Sequence, residues 1–142
     1  ELCERIKASS FSRRFMLSSD FTVGSLLGAD GNPDKERIDA LIGANFRHIG
    51  IGIESFRDNI LRDLGKPQTV AQISKVMHHL YEKGIQGHFY MIERTVEARP
   101  FDVLMDAYST WTYLGNGCFP WKASRARLRV FCGTKVVREV QE

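Results

Sequence analysis

The stretch His48-Ile49-Gly50-Ile51-Gly52-Ile53-Glu54-Ser55-Phe56 decides how this chain is read. Isoleucine at 49, 51 and 53, stopped abruptly by a carboxylate and a hydroxyl, has the length and composition of a buried strand. Three more short apolar runs look alike: Phe15-Met16-Leu17, His88-Phe89-Tyr90-Met91-Ile92 and Leu128-Arg129-Val130-Phe131. They recur about every 33 to 40 residues, the span of a strand, a crossover helix and the next strand. Between them lie helical patterns. Asn32-Pro33 opens one, with a capping Asn, Pro in the first turn, and Ile38, Leu41 and Ile42 as its buried stripe, ending near Gly43. A short extra helix is read over residues 56–64, where Ile60, Leu61 and Leu64 share a face. Thr69 and Gln72 form a capping box ahead of Val70, Ile73, Val76, Met77 and Leu80, with Gly84 placed as the stop. Pro100 starts the last helix, with Phe101, Leu104, Met105, Tyr108 and Trp111 on one side and Gly115 at its end. Residues 24–32 and 116–124 read as loops.

The economical architecture is α/β, with about four parallel strands joined by right-handed helical crossovers. A complete eight-stranded barrel takes about 250 residues, so the pattern reads as a partial, half TIM-type barrel. A small doubly wound sheet fits the same rhythm. The chain starts in mid-pattern and finishes in the charged run Arg138-Glu139-Val140-Gln141-Glu142, and is therefore read as one excised piece of a larger domain.

With 142 residues and 43% hydrophobic composition, the chain has material for one core of ordinary size. Lys and Arg number 20 against 17 Asp and Glu, and a net charge of +3 makes no electrostatic case for nucleic acid. No apolar run approaches the roughly 20 residues of a membrane span, and Glu1-Leu2-Cys3-Glu4-Arg5 is not a signal-peptide core, so the expected location is cytoplasmic. Cys3, Cys118 and Cys132 are too widely spaced for a disulfide framework or a metal motif. His78 and His79 are adjacent and so point to different faces of a helix, and no metal ligands are assigned.

Binding residues of parallel α/β folds gather at the carboxyl ends of strands, which turns attention to Glu54 and Ser55. A carboxylate there suits a polar ligand, such as the paired hydroxyls of a ribose. The bland reading, equally open, is that Glu54 caps the short helix that follows.

The run Ile49-Gly50-Ile51-Gly52-Ile53-Glu54-Ser55-Phe56, then Asn59-Ile60-Leu61, Leu64-Gly65-Lys66 and Thr69-Val70-Ala71-Gln72-Ile73, resembles the fourth strand and following helices of the radical S-adenosylmethionine superfamily. The branch is the one shared by methylthiotransferases, coproporphyrinogen dehydrogenases and cobalamin-dependent members. Asp34 through Phe46, Val76 through Ile85 and Leu128 through Lys135 fit the same register. The resemblance implies strands three to six of the barrel, and a parent enzyme that reductively cleaves S-adenosylmethionine with an electron from a [4Fe–4S] cluster, or uses it as a methyl donor if a cobalamin domain is present. It implies that Glu54 contacts the cofactor's ribose, that Lys66 contacts the same cofactor, and, more weakly, that Ser55 does. Two departures stand out. Where the family has a glycine-bearing Gly-x-Pro-Gly-Glu-Thr turn, this chain has Glu93-Arg94-Thr95-Val96-Glu97-Ala98. The cluster-binding cysteine triplet belongs to an amino-terminal part absent from this sequence, so the piece alone is expected to be silent in catalysis.

The substrate, a small molecule or tRNA, is unreadable. Lys122, Arg125, Arg127 and Arg129 beside Phe119, Pro120 and Trp121 offer a phosphate or RNA surface, but a solvated loop explains them more simply. The rival functional reading is a barrel fragment binding some other small molecule, without radical chemistry. A half barrel also leaves its edge strands unpaired and its inner apolar face uncovered, so the isolated chain is expected to dimerise, swap elements or rearrange.

Overall fold

The computed structural model describes residues 1–9, 14–92, 99–115 and 122–126. Its core is a sheet of four parallel strands in the order β1-β2-β3-β4: β1 (Leu17–Thr22), β2 (Phe46–Glu54), β3 (Gln86–Ile92) and β4 (Lys122–Ala126). The helices are α1 (Leu2–Ala8), α2 (Lys35–Gly43), α3 (Asp58–Asp63), α4 (Val70–Glu82) and α5 (Pro100–Gly115), with a 3₁₀ turn at Val23–Leu26. Strand and helix alternate, and successive strands are neighbours, so the sheet is a segment of a parallel barrel.

One face of the sheet makes the core. Ile49, Ile51 and Ile53 of β2 and Phe89 and Met91 of β3 pack under Ile38 and Leu41 of α2 and Ile73, Val76, Met77 and Leu80 of α4. The capping box at Thr69 and Gln72 is formed. Gly84, at φ +71, then closes α4 in a Schellman turn, with Ile85 N–H donating to Leu80 C=O at 3.0 Å and Gly84 N–H to Tyr81 C=O at 2.9 Å.

Several expectations move. The first strand lies at Leu17–Thr22 rather than Phe15-Met16-Leu17: Phe15 and Met16 are exposed, and the strand's own Ser18-Ser19-Asp20 hid it from an apolar pattern. Helix α2 is capped by Asp34, whose carboxylate accepts Arg37 N–H at 3.0 Å, while Asn32 is held in the preceding turn by Asp30. The helix ends at Gly43 as read, and the left-handed residue that follows it is Asn45, at φ +65. Strand β4 falls partly in the stretch read as a loop. The runs at 93–98 and 128–135, Cys118, Cys132, Arg127 and Arg129 lie outside the described residues.

Helix α5 is turned about from its expected orientation. Of the apolar residues grouped on one side of the helix, Phe101, Leu104 and Tyr108 are 59%, 63% and 58% exposed and Met105 is half-buried, whereas Asp102 and Thr110 are buried. Residues 102, 106 and 110 are spaced four apart and share a face, and that face meets polar groups described below. The uncovered inner face of the sheet is also not apolar. Alternation with the buried isoleucines puts Ser18, Asp20, Thr22, His48, Gly50, Gly52, Glu54, His88 and Tyr90 there.

Phe89→Ala, which empties a fully buried site packed edge-on against Phe56, should cost about 3–5 kcal/mol in urea denaturation. Leu104→Ala should change stability by no more than ~0.5 kcal/mol; a large loss there would contradict the outward orientation of α5.

Candidate functional site at the carboxyl ends of the strands

The inner face narrows to a glycine track along β2. A Cβ on Gly50 would lie 2.1 Å from Asp20 Oδ1 and 2.6 Å from Tyr90 Cε2. Glycine here lets Asp20 from β1 and Tyr90 from β3 meet across the middle strand, with Tyr90 O–H donating to Asp20 Oδ1 at 3.1 Å. The His88 ring lies against Tyr90 at 5.1 Å. Accepting from the neutral phenol, the Asp20 carboxylate raises the Tyr90 pKa above its ordinary value, with desolvation and the negative charge of Asp20 acting in the same direction.

The track ends at Glu54. The β2–β3 register slips between Gly52 and Glu54, and Glu54 leaves the sheet at φ +69, a region that side chains other than glycine rarely adopt. Ser55 N–H donates back to Ile53 C=O at 2.9 Å, closing a three-residue turn around Glu54. Such a conformation costs on the order of 1–3 kcal/mol and persists only when neighbouring groups fix it.

The groups that fix it come from α5. Asp106 accepts the Ser55 hydroxyl with both oxygens, at 3.0 and 2.8 Å, and accepts Phe56 N–H at 2.8 Å. Ser55 Oγ in turn accepts Arg57 N–H at 3.1 Å. One turn earlier, Asp102 pairs with Arg57 at 3.1 Å and accepts Arg99 N–H at 3.0 Å, and the Arg57 guanidinium covers the Phe101 ring at 5.4 Å. One turn later, the Thr110 hydroxyl meets Met91 Sδ at 3.2 Å. This explains why α5 turns a polar face inward: the turn after β2 presents buried donors that carboxylates must satisfy. Hydrogen bonds to a charged acceptor, at about 1.5–3 kcal/mol each, are enough to outweigh the strain at Glu54.

Lys66 is delivered by a second turn. Helix α3 ends in a Schellman motif, with Lys66 N–H donating to Leu61 C=O at 2.8 Å and Gly65 N–H to Arg62 C=O at 2.9 Å, and Gly65 at φ +68. The ammonium thereby comes to 2.8 Å from Glu54 Oε1. Glu54 and Lys66 therefore stand together at the carboxyl edge, both half-buried, with Gly52 leaving the carboxylate open from below. A Cβ on Gly52 would sit 3.0 Å from Glu54 Oε1.

Ser55 is fully buried, with its hydroxyl bonded to Asp106 and Arg57, so it holds the turn. Glu54 does not cap α3, whose first turn follows Arg57. Asp106 escapes a reading by hydrophobicity because an Asp in an apolar helix reads as solvated; its signal is the pair Asp102 and Asp106, one turn apart. Among the described residues, no group of three or more His, Cys, Asp or Glu side chains is arranged to hold a metal ion.

No protein-family model and no curated protein matches the chain. Solved structures do. The radical S-adenosylmethionine methyltransferase TsrM from Kitasatospora setae, solved with cobalamin and a [4Fe–4S] cluster bound, matches with a TM-score of 0.75 at 17% identity, over 98% of this chain and 26% of its own. The archaeal Methanocaldococcus infernus Elp3 gives 0.72 at 12% identity, over 99% and 32%. The cobalamin-dependent S-adenosylmethionine radical enzyme OxsB, with aqua-cobalamin and S-adenosylmethionine bound, gives 0.66 at 15% identity, over 98% and 25%. The chain thus spans about a quarter to a third of the length of the structures it matches. At these identities the likeness shows a shared fold: an α/β, partial TIM-type barrel.

Two outcomes follow. Both Glu54→Gly and Glu54→Ala lose the carboxylate, but only glycine relieves the positive φ, so the Gly variant should be the more stable by about 1 kcal/mol in denaturant melts. One of the four tyrosines should ionise late in an ultraviolet pH titration, and Asp20→Asn should bring it back toward about 10. The raised value carries a sign: what the Asp20–Tyr90 bond contributes is complete below the unfolded tyrosine pKa and is lost as pH rises through the folded one.

Proposed function

We propose that this chain belongs to the barrel of a radical S-adenosylmethionine enzyme and that its Glu54 edge grips the ribose of that cofactor. The observation that carries the reading is the half-buried Glu54 carboxylate, held at the end of β2 in a conformation that the chain must be forced to adopt, with Lys66 at 2.8 Å. Strain of this kind is concentrated at working sites. The fold shared with TsrM and OxsB supports the same ligand.

In this reading Glu54 accepts the ribose hydroxyls, which are donors that a carboxylate can take as a pair. Lys66 holds the Glu54 carboxylate in place and supplies positive charge toward the cofactor's own carboxylate. Gly52 keeps the approach clear, and Ser55 serves by fixing the turn. When bound with a cluster, the cofactor supplies a 5′-deoxyadenosyl radical or a methyl group to the parent enzyme's reaction. The cluster, and any cobalamin, are assigned to the parent enzyme and to no described residue. The same holds for its substrate, small molecule or tRNA.

Equilibrium dialysis of the chain against S-adenosylmethionine tests the reading. Glu54→Gln should weaken binding by about tenfold or more, the worth of one charge-assisted hydrogen bond. A cofactor analogue lacking both ribose hydroxyls should bind the two proteins equally. Equal affinity of both for S-adenosylmethionine would remove Glu54 from the site. No binding by the parent sequence would instead favour a barrel segment that takes a different small molecule.

A further inference from the structure

We infer that Asp106 is the positioning residue for Glu54, acting through the Ser55 hydroxyl and the Phe56 amide. The inference rests on the proposed ligand only for its consequence in binding; the positioning itself is a property of the free chain. Glu54 occupies a strained φ of +69, and the one local hydrogen bond described across it is Ser55 N–H to Ile53 C=O at 2.9 Å. The two residues that follow it are both buried, and their polar groups converge on one carboxylate from a helix 50 residues away. Extending the backbone at Glu54 would draw the Ser55 hydroxyl and Phe56 N–H off Asp106 and leave buried donors without an acceptor. With Asp106 in place, the turn is locked and the Glu54 carboxylate stays beside Lys66. Without it, the backbone relaxes and the carboxylate swings away. Asp106 touches no ligand in this scheme. Its partner Asp102, one turn earlier, anchors the helix through Arg57 and so sets how far α5 reaches.

The test is made on the free chain by NMR. Asp106→Ala should shift the Glu54 amide–alpha coupling and carbon shifts from positive φ toward extended, and remove the contact between the Lys66 and Glu54 side chains. Contacts of the core residues Phe89 and Leu80 should be unchanged. Asp106→Asn retains an acceptor oxygen for Phe56 N–H and should keep the turn. If Asp106→Ala does not fold, Ser55→Ala must move the Glu54–Lys66 contact in its place. Glu54 keeping its positive φ and its Lys66 contact in the variant that folds would overturn the proposal.

In binding, Asp106→Ala should weaken S-adenosylmethionine by about tenfold in the parent background and by little in Glu54→Gln, since removing a shared interaction twice has no second effect. An equal loss in both backgrounds would count against action through Glu54. If the parent chain binds no S-adenosylmethionine at all, the ligand assignment fails while the NMR result still decides the role of Asp106.

Discussion

The site depends on one constraint: a glutamate at the end of β2 is held at positive φ by a carboxylate on a distant helix. The turn that follows β2 is arranged by that contact. Ser55 and Phe56 give up their donors to Asp106, and Arg57 is steered toward Asp102. Helix α5 turns its aspartates inward and leaves Phe101, Leu104 and Tyr108 outside. An ordinary amphipathic helix would do the reverse, because burying apolar area is the usual stabilising term. Here the desolvated donors of the turn outweigh it, since an unsatisfied buried group costs about 1–3 kcal/mol.

The two faces of the sheet divide the labour. The isoleucines of β2, with Phe89 and Met91, fuse strands to helices and give the scaffold its rigidity. The opposite face is polar and is thinned by Gly50 and Gly52 so that side chains of neighbouring strands can cross it. Parallel barrels place chemistry at the carboxyl ends of their strands, and two half-buried charged groups, Glu54 and Lys66, stand together there. Two glycine-dependent devices, the open track below and the Schellman turn at Gly65, bring them together.

Much of this was legible in the sequence, for physical reasons that differ by element. Strand β2 and helix α4 announce themselves because isoleucine at every second position marks a strand with one buried face, and a capped amphipathic helix carries both its stripe and its stop signal. Gly84 was readable as a stop because left-handed backbone favours glycine. Strand β1 was misplaced because an edge strand with a polar inner face has no apolar run to find. Helix α5 was inverted because hydrophobicity records which side chains prefer burial, not which buried donors need an acceptor. Glu54 and Lys66 were legible as neighbours in a motif; the positive φ and the Asp106 latch were not, since both arise from a contact spanning about 50 residues of chain.

The most direct measurement is a chemical-shift map of the chain titrated with S-adenosylmethionine. Ribose recognition at Glu54 requires the largest shifts at Gly52, Glu54, Ser55 and Lys66, with the amino-terminal ends of the strands, around His48 and Asn45, unmoved. Shifts confined to those amino-terminal ends would contradict it.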